Sequence, residues 1–301
     1  PRRQGRLPLG QSASHRRLSA SHQRLSASHR GLNQAPDSGG SPITATRRSL
    51  ATVSPSPTPG SPSNRAELIP RPDQPLPTGD AKVEAVRAMF DTIAPNYDKV
   101  NRIMTGRLDV RWRRTTVDAL GLAPTSIIAD LAAGTGDLVY ELQDHGMSAI
   151  GVDLSMGMLA AAPRPFPRLQ GDALSLPFPD GSLDGVTCGF ALRNFESLPR
   201  FFAELARVLR PGGRIGLLEV GQPSNPVLKA GFDLYFGKVV PKIGARFSDA
   251  RAYAYLPRSV DYLPPPTETL RLIGGAGFDR SHHRQLTGGL AQLFTATLRR
   301  S

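Results

Sequence analysis

The chain has 301 residues, with 37 Lys and Arg against 25 Asp and Glu, a formal net charge of +12, and one cysteine. A single cysteine excludes a disulfide framework and a zinc site built on Cys ligands. No apolar run approaches the roughly 18 residues that a membrane-spanning helix needs. A balance this basic raises nucleic acid or an anionic membrane as partner, so the placement of the charge decides what it means.

Residues 1–80 hold 11 Arg, no Lys and 4 acidic residues, a net of +7, which leaves +5 on 81–301. The same stretch has 13 Ser, 12 Pro and no Phe, Trp or Tyr. Such a segment cannot bury enough apolar surface to offset its ordering entropy. It is expected to be a disordered tail. Ser-Ala-Ser-His recurs at 12–15, 19–22 and 26–29. Leu18 and Leu25 have no second apolar position beside them, so low complexity accounts for the heptad better than a coiled coil. An Arg- and Ser-rich, acid-poor stretch also fits an organelle transit peptide; the other alternative is a start placed too far upstream. Nothing aromatic interleaves the arginines for base stacking, so no specific nucleic-acid site is expected.

From residue 81 the pattern is that of one globular domain. Ser126–Leu131 reads as a buried strand and Asp137–His145 as a helix. Ser148–Asp153 is a second strand, Ser155–Ala162 a helix stopped by Pro163, Arg168–Gly171 a third strand and Leu183–Phe190 a fourth. Pro199–Leu209 is a helix with Phe201, Phe202, Leu205, Val208 and Leu209 on one face, closed by Pro211-Gly212-Gly213, and Arg214–Val220 is a fifth strand. This alternation argues for an open parallel sheet with helices on both faces. In such sheets ligands sit at the carboxyl ends of the strands. Residues 222–263 break the alternation. Their apolar residues, with Lys229, Lys238, Lys242 and Arg246, are where a prenyl chain or membrane surface can be met; the alternative is a helix packed on the sheet.

Asp130-Leu131-Ala132-Ala133-Gly134-Thr135-Gly136-Asp137 closes the first strand. Gly134 and Gly136 permit a tight turn and close approach of a ligand. Asp153 ends the second strand and can accept hydrogen bonds from two ribose hydroxyls. A dinucleotide fingerprint needs a third Gly where Val139 stands, and carboxylates at 130 and 137 disfavour a pyrophosphate. S-adenosylmethionine has no phosphate and carries cationic groups, so these residues favour it. Asp172, in Gly171-Asp172-Ala173, can accept from an adenine amino group. Its alternative is a turn Asp.

The chain resembles the ubiquinone/menaquinone biosynthesis C-methyltransferases. The likeness spans roughly 85–294 and rests on five stretches: Met89–Asn101 with Trp112-Arg113; the turn at 130–137; Gly171-Asp172-Ala173 with Leu176-Pro177-Phe178; Phe190-Ala191-Leu192-Arg193-Asn194 with Arg207–Gly213; and Tyr253–Val260 with Leu286-Thr287-Gly288-Gly289. The resemblance implies a Rossmann-like class I fold with a mostly parallel seven-stranded sheet. It implies S-adenosylmethionine as methyl donor, with Thr135, Asp153, Asp172 and Ala173 touching it. Gly189 stands at a cofactor-contacting position where the family usually has Ser, which leaves a backbone contact, Ala191 replaces a Gly, and Leu293-Phe294 replaces a Leu-His pair. The implied reaction is C-methylation of a prenylated quinol ring, with demethylmenaquinol the first choice. Another small-molecule methyltransferase is the alternative, and an RNA methyltransferase a more distant one. The expected location is the cytoplasm, peripherally at the inner face of a membrane, or an organelle if the tail is a transit peptide.

Methyl transfer from a sulfonium needs mainly alignment, and the six His offer no metal set. A quinol carbon becomes nucleophilic when its neighbouring hydroxyl shares or loses a proton. Arg193 is expected to orient that oxygen, its alternative being an ion pair that fixes the loop. Asn194 can bond the substrate or cap a helix. Tyr97 lies in a segment that, by resemblance, closes over the cofactor. Asp91, Asp98 and Glu219 are further base candidates, and Cys188 reads as inert core.

Overall fold

The computed structural model describes residues 67–71, 73–247 and 250–300. The repeat and the arginines of residues 1–66 therefore lie outside the described residues. The run Ile127–Leu131 (β1) is buried at every residue after the first. Such continuous burial marks a parallel strand covered on both faces. Ser148–Asp153 (β2), Arg168–Gln170 (β3), Leu183–Gly189 (β4) and Leu209–Val220 (β5) join it in parallel. A C-terminal hairpin of Phe278–Leu286 (β6) and Ala291–Leu298 (β7) completes a seven-stranded sheet in the order β3-β2-β1-β4-β5-β7-β6. Strand β7 runs antiparallel to both neighbours. The order reverses between β1 and β4, and that switch point opens a crevice at the strand ends.

The helices are Gly79–Ile93 (α1), Tyr97–Thr105 (α2), Leu108–Leu120 (α3), Asp137–Asp144 (α4), Met156–Ala160 (α5), Leu198–Val208 (α6), Pro226–Leu234 (α7), Val240–Phe247 (α8), Ala250–Ser259 (α9) and Pro266–Gly275 (α10). Helix α6 buries Phe201, Phe202, Leu205 and Val208, the stripe its spacing predicts, and Ser197 caps its start. Strand β5 begins at Leu209, earlier than the Pro-Gly-Gly signal implies. Leu183 pairs with Leu209, and the register then shifts before Gly185 meets Arg214, so Pro211-Gly212-Gly213 forms an irregularity inside the strand.

Domain packing starts before residue 81. Ile69 is buried with Met89 and Ile93 of α1 and Tyr253 and Tyr255 of α9. Arg258 donates to the Arg71 carbonyl, and the Tyr262 hydroxyl donates to that of Pro77. Ile69 and Leu76, which composition places in the tail expected to run to residue 80, have apolar partners in the domain that composition alone does not reveal. In the insertion, α9 packs inward while α7 buries none of its residues. A π-helical turn at Tyr235–Val239 links α7 to α8.

Candidate active site

A cleft with about 1060 Å³ of empty space, counting its open mouth, lies over the ends of β1, β2 and β4. That is room for a nucleoside-sized ligand with a second ring beside it. Its floor is the turn after β1. Gly134 (φ 58°) and Gly136 (φ 92°) hold the left-handed conformation that starts α4, and a Cβ on Gly136 would strike the Phe166 ring. Asp153 ends β2 and accepts from the backbone N–H of Gly134 at 2.8 Å and of Ser155 at 2.7 Å. The remaining lone pairs can take ribose hydroxyls. Burial pushes its carboxyl up to about 6, against the two backbone bonds. Asp172 is exposed and accepts from the Leu174 N–H, while Ala173 is buried, and both line the same end.

Asp130 lines the cleft but is nearly fully buried. Burial pushes it to about 7, the Thr187 hydroxyl at 2.7 Å opposing the shift. Asp137 is paired with two arginines: Arg102 Nη2 lies 2.7 Å from one oxygen and Arg113 Nη2 3.0 Å from the other. Both guanidinium groups also reach the buried Asp109. A carboxylate so engaged is a structural anchor that ties α2 and α3 to the cofactor turn. Gly189 lines the cleft, and a Cβ there would come within 3.0 Å of Leu138 Cδ1.

Helices α1 and α2 form the roof and are pinned at three places. Lys82 donates to the Phe195 carbonyl at 2.7 Å and sits 3.9 Å from the Tyr262 ring centre. Asp91 accepts from the Ser155 hydroxyl and from the Gly157 N–H. Asp98 accepts from the Thr135 hydroxyl at 2.6 Å. Val83, Val86, Arg87 and Phe90 face the cleft from the roof at helical spacing. Asp91 and Asp98, read from the sequence as base candidates, are thus latches between roof and floor. Thr135, expected to touch the cofactor, lines the cleft with its hydroxyl given to Asp98.

The end beyond Gly189 is aromatic and polar, lined by Tyr97, Arg113, Phe190, Ala191 and Asn194. Phe190 has φ 60°, a costly conformation for a bulky side chain. It places the ring 6.3 Å from that of Trp112 and 5.8 Å from the Arg113 guanidinium carbon. The Trp112 indole donates to the Thr287 hydroxyl at 2.8 Å, which joins the first and last stretches of the family likeness. The Asn194 side-chain oxygen is buried without a hydrogen-bond partner among the described residues. Burial pushes the Tyr97 phenol up to about 12, with Arg113 and Arg193 opposing.

Arg193 is not among the cleft-lining residues. Its guanidinium pairs with the buried Glu219 and bonds the Ser259 hydroxyl at 3.0 Å and the Phe190 carbonyl at 2.8 Å. The geometry is that of the loop-fixing ion pair, with Glu219 as its partner. Cys188 is fully buried, and burial raises its thiol. Arg113 stands in the cleft unforeseen. Only the docking of α3 on the turn brings it there, and no local sequence signal marks it.

The residues fit S-adenosylmethionine. The adenosine end offers the carboxylate acceptors Asp153 and Asp172. No phosphate cradle is left where Asp130 and Asp137 stand. Sheet order and site together define a class I S-adenosylmethionine-dependent methyltransferase. The sequence profile described as the ubiE/COQ5 methyltransferase family matches residues 78–298. The chain belongs to the ubiE/COQ5 methyltransferase family, and S-adenosylmethionine is its methyl donor. It is 41% identical over 236 residues to the demethylmenaquinone methyltransferase of Deinococcus radiodurans, covering 74% of this chain and 97% of that one. It is 40% identical over 218 residues to the ubiquinone/menaquinone biosynthesis C-methyltransferase UbiE of Syntrophotalea carbinolica, covering 69% and 92%. In fold it is similar to a chain in the solved complex of the Haloferax volcanii Trm112 methyltransferase activator with a methyltransferase. There the TM-score is 0.52 at 17% identity, covering 70% of this chain and 97% of that one.

Proposed function

We propose that this protein methylates a ring carbon of a demethylated prenylquinol, demethylmenaquinol in the first place. The observation that carries the reading is the second end of the cleft, where aromatic walls enclose the unpartnered Asn194 oxygen. The relatives named for that reaction, at about 40% identity, support the ring chosen.

When bound, S-adenosylmethionine supplies an electrophilic methyl group. The protein must hold the acceptor ring in line and make its carbon electron-rich. The Asn194 oxygen accepts from the ring hydroxyl and draws its proton away from the ring oxygen. Tyr97, a protonated phenol at physiological pH, donates to an oxygen of the ring. Arg113, with its charge balanced by Asp109 and Asp137, faces the negative charge that develops on that oxygen. Phe190, backed by Trp112, walls the ring plane. Arg193 braces the 190–194 loop through Glu219. At the other end Asp153 takes the ribose and Asp172 with Ala173 the adenine, over the Gly134-Thr135-Gly136 turn. Mass detection of the methylated quinol tests the reading.

We also propose that the insertion meets an anionic lipid surface, where a prenylated substrate resides. Helix α7 exposes Val227 (80%), Leu228 (52%) and Leu234 (56%). Lys229, Lys238, Lys242 and Arg246 lie in the same segment, against Asp233 alone among the residues 226–247, which pairs with Lys229. An anionic bilayer complements both the apolar and the basic parts.

A further inference from the structure

Tyr253 belongs to the insertion and to the Tyr253–Val260 stretch, to which the reaction assigns no part. Its side chain is 1% exposed, packed with Ile69, Met89, Ile93 and Val100. Its hydroxyl is buried and has no hydrogen-bond partner among the described residues. A buried hydroxyl left unpaired is destabilising, and a phenylalanine would fill the same space without that cost. Such a group calls for a partner that arrives later.

Tyr97 packs against the same cluster from α2 and also lines the cleft. The two phenols thus share one cluster, Tyr97 in the cleft wall and Tyr253 outside the cleft lining. Burial raises the Tyr253 phenol, and Tyr97 adds to the shift. Of the acids that act on the Tyr97 hydroxyl, Asp98 accepts from Thr135, and Asp137 is ion-paired with Arg102 and Arg113 while its Oδ2 accepts no hydrogen bond among the described residues.

On the quinol-methylating reading above, we propose that Tyr253 is a positioning residue for methyl transfer: its hydroxyl donates to that of Tyr97 and turns the Tyr97 hydrogen toward the ring oxygen of the acceptor. Tyr97 touches the substrate. Tyr253 acts only through Tyr97, and the bond forms when Tyr97 settles on the ring. The insertion thereby supplies the reaction with a second layer behind the cleft wall, in addition to any surface it presents outside.

The test uses the full chain, S-adenosylmethionine and demethylmenaquinol, with the variants Tyr253→Phe, Tyr97→Phe and both together. Tyr253→Phe is expected to keep or raise the melting temperature and to keep the calorimetric Kd for S-adenosylmethionine. It lowers kcat about three- to tenfold, the worth of one hydrogen bond. The double variant is expected to be no slower than Tyr97→Phe alone, as for two groups acting in series. An unchanged kcat in Tyr253→Phe overturns the inference. So does a multiplicative loss in the double variant, or a fall in melting temperature that parallels the loss of rate. No product from the wild-type chain overturns the quinol reading and this inference with it. A methylating wild type matched by Tyr253→Phe overturns the inference alone.

Discussion

Arg193→Ala separates a brace from a catalytic group. Glu219 is wholly buried, and Arg193 is its ion-pair partner. Removing the guanidinium leaves an uncompensated carboxylate, which costs about 3–5 kcal/mol in such sites. For a domain of this size each kcal/mol moves the melting temperature by about 2–4 °C, so a fall on the order of 6–20 °C is expected. The paired variant Arg193→Met/Glu219→Leu removes both charges and should recover much of that loss. Thermal unfolding by circular dichroism, run beside kcat below the transition, reads both quantities. A melting temperature within about 2 °C of wild type, with turnover lost, would refute the bracing role and return Arg193 to the reacting atoms.

Asp153→Asn is expected to weaken S-adenosylmethionine binding roughly ten- to hundredfold, from the loss of charge-assisted bonds to the ribose; titration calorimetry reads it. Because burial raises the Asp153 carboxyl to about 6, wild-type affinity should weaken as pH falls through that value, and the Asn variant should lose that inflection. Asp130 is raised from 3.8 to about 7, so the folded state holds its proton better than the unfolded one. Stability therefore falls as pH rises across that window, and Asp130→Asn should gain in melting temperature relative to wild type more above pH 7 than below pH 4. Val227→Asp/Leu234→Asp should reduce co-sedimentation with phosphatidylglycerol vesicles several-fold and leave methylation of a short-chain, water-soluble quinol unchanged. Equal sedimentation of variant and wild type would count against the lipid face.

The central parallel strands and the cofactor turn were legible because buried parallel strands read as apolar runs bounded by turn residues, whereas the short β3, Arg168–Gln170, was legible mainly from its place in the alternation. The turn carries its own signature in Gly134, Gly136 and the strand-end Asp153. The hairpin Phe278–Leu286 and Ala291–Leu298 was not legible as strands. Its edge strand is mostly polar and exposed, which weakens alternation. The roles of Asp91, Asp98, Asp137 and Arg113 depend on α1–α3 lying across the turn, a long-range placement that no local pattern encodes. Arg193 shows the limit most clearly. Its position at a strand end next to Asn194 is a local fact, but the direction of its side chain is set by Glu219 and Ser259, distant in sequence. The packing of Ile69 was missed for the same reason, since its partners on α1 and α9 are distant in sequence.

The most direct measurement is mass detection of products after incubating the full chain with S-adenosylmethionine and, in parallel, demethylmenaquinol and a demethoxy-type benzoquinol. The account predicts one methyl group added to a ring carbon of demethylmenaquinol, at a rate above that on the benzoquinol. A chain that binds S-adenosylmethionine to saturation and methylates neither ring would contradict it.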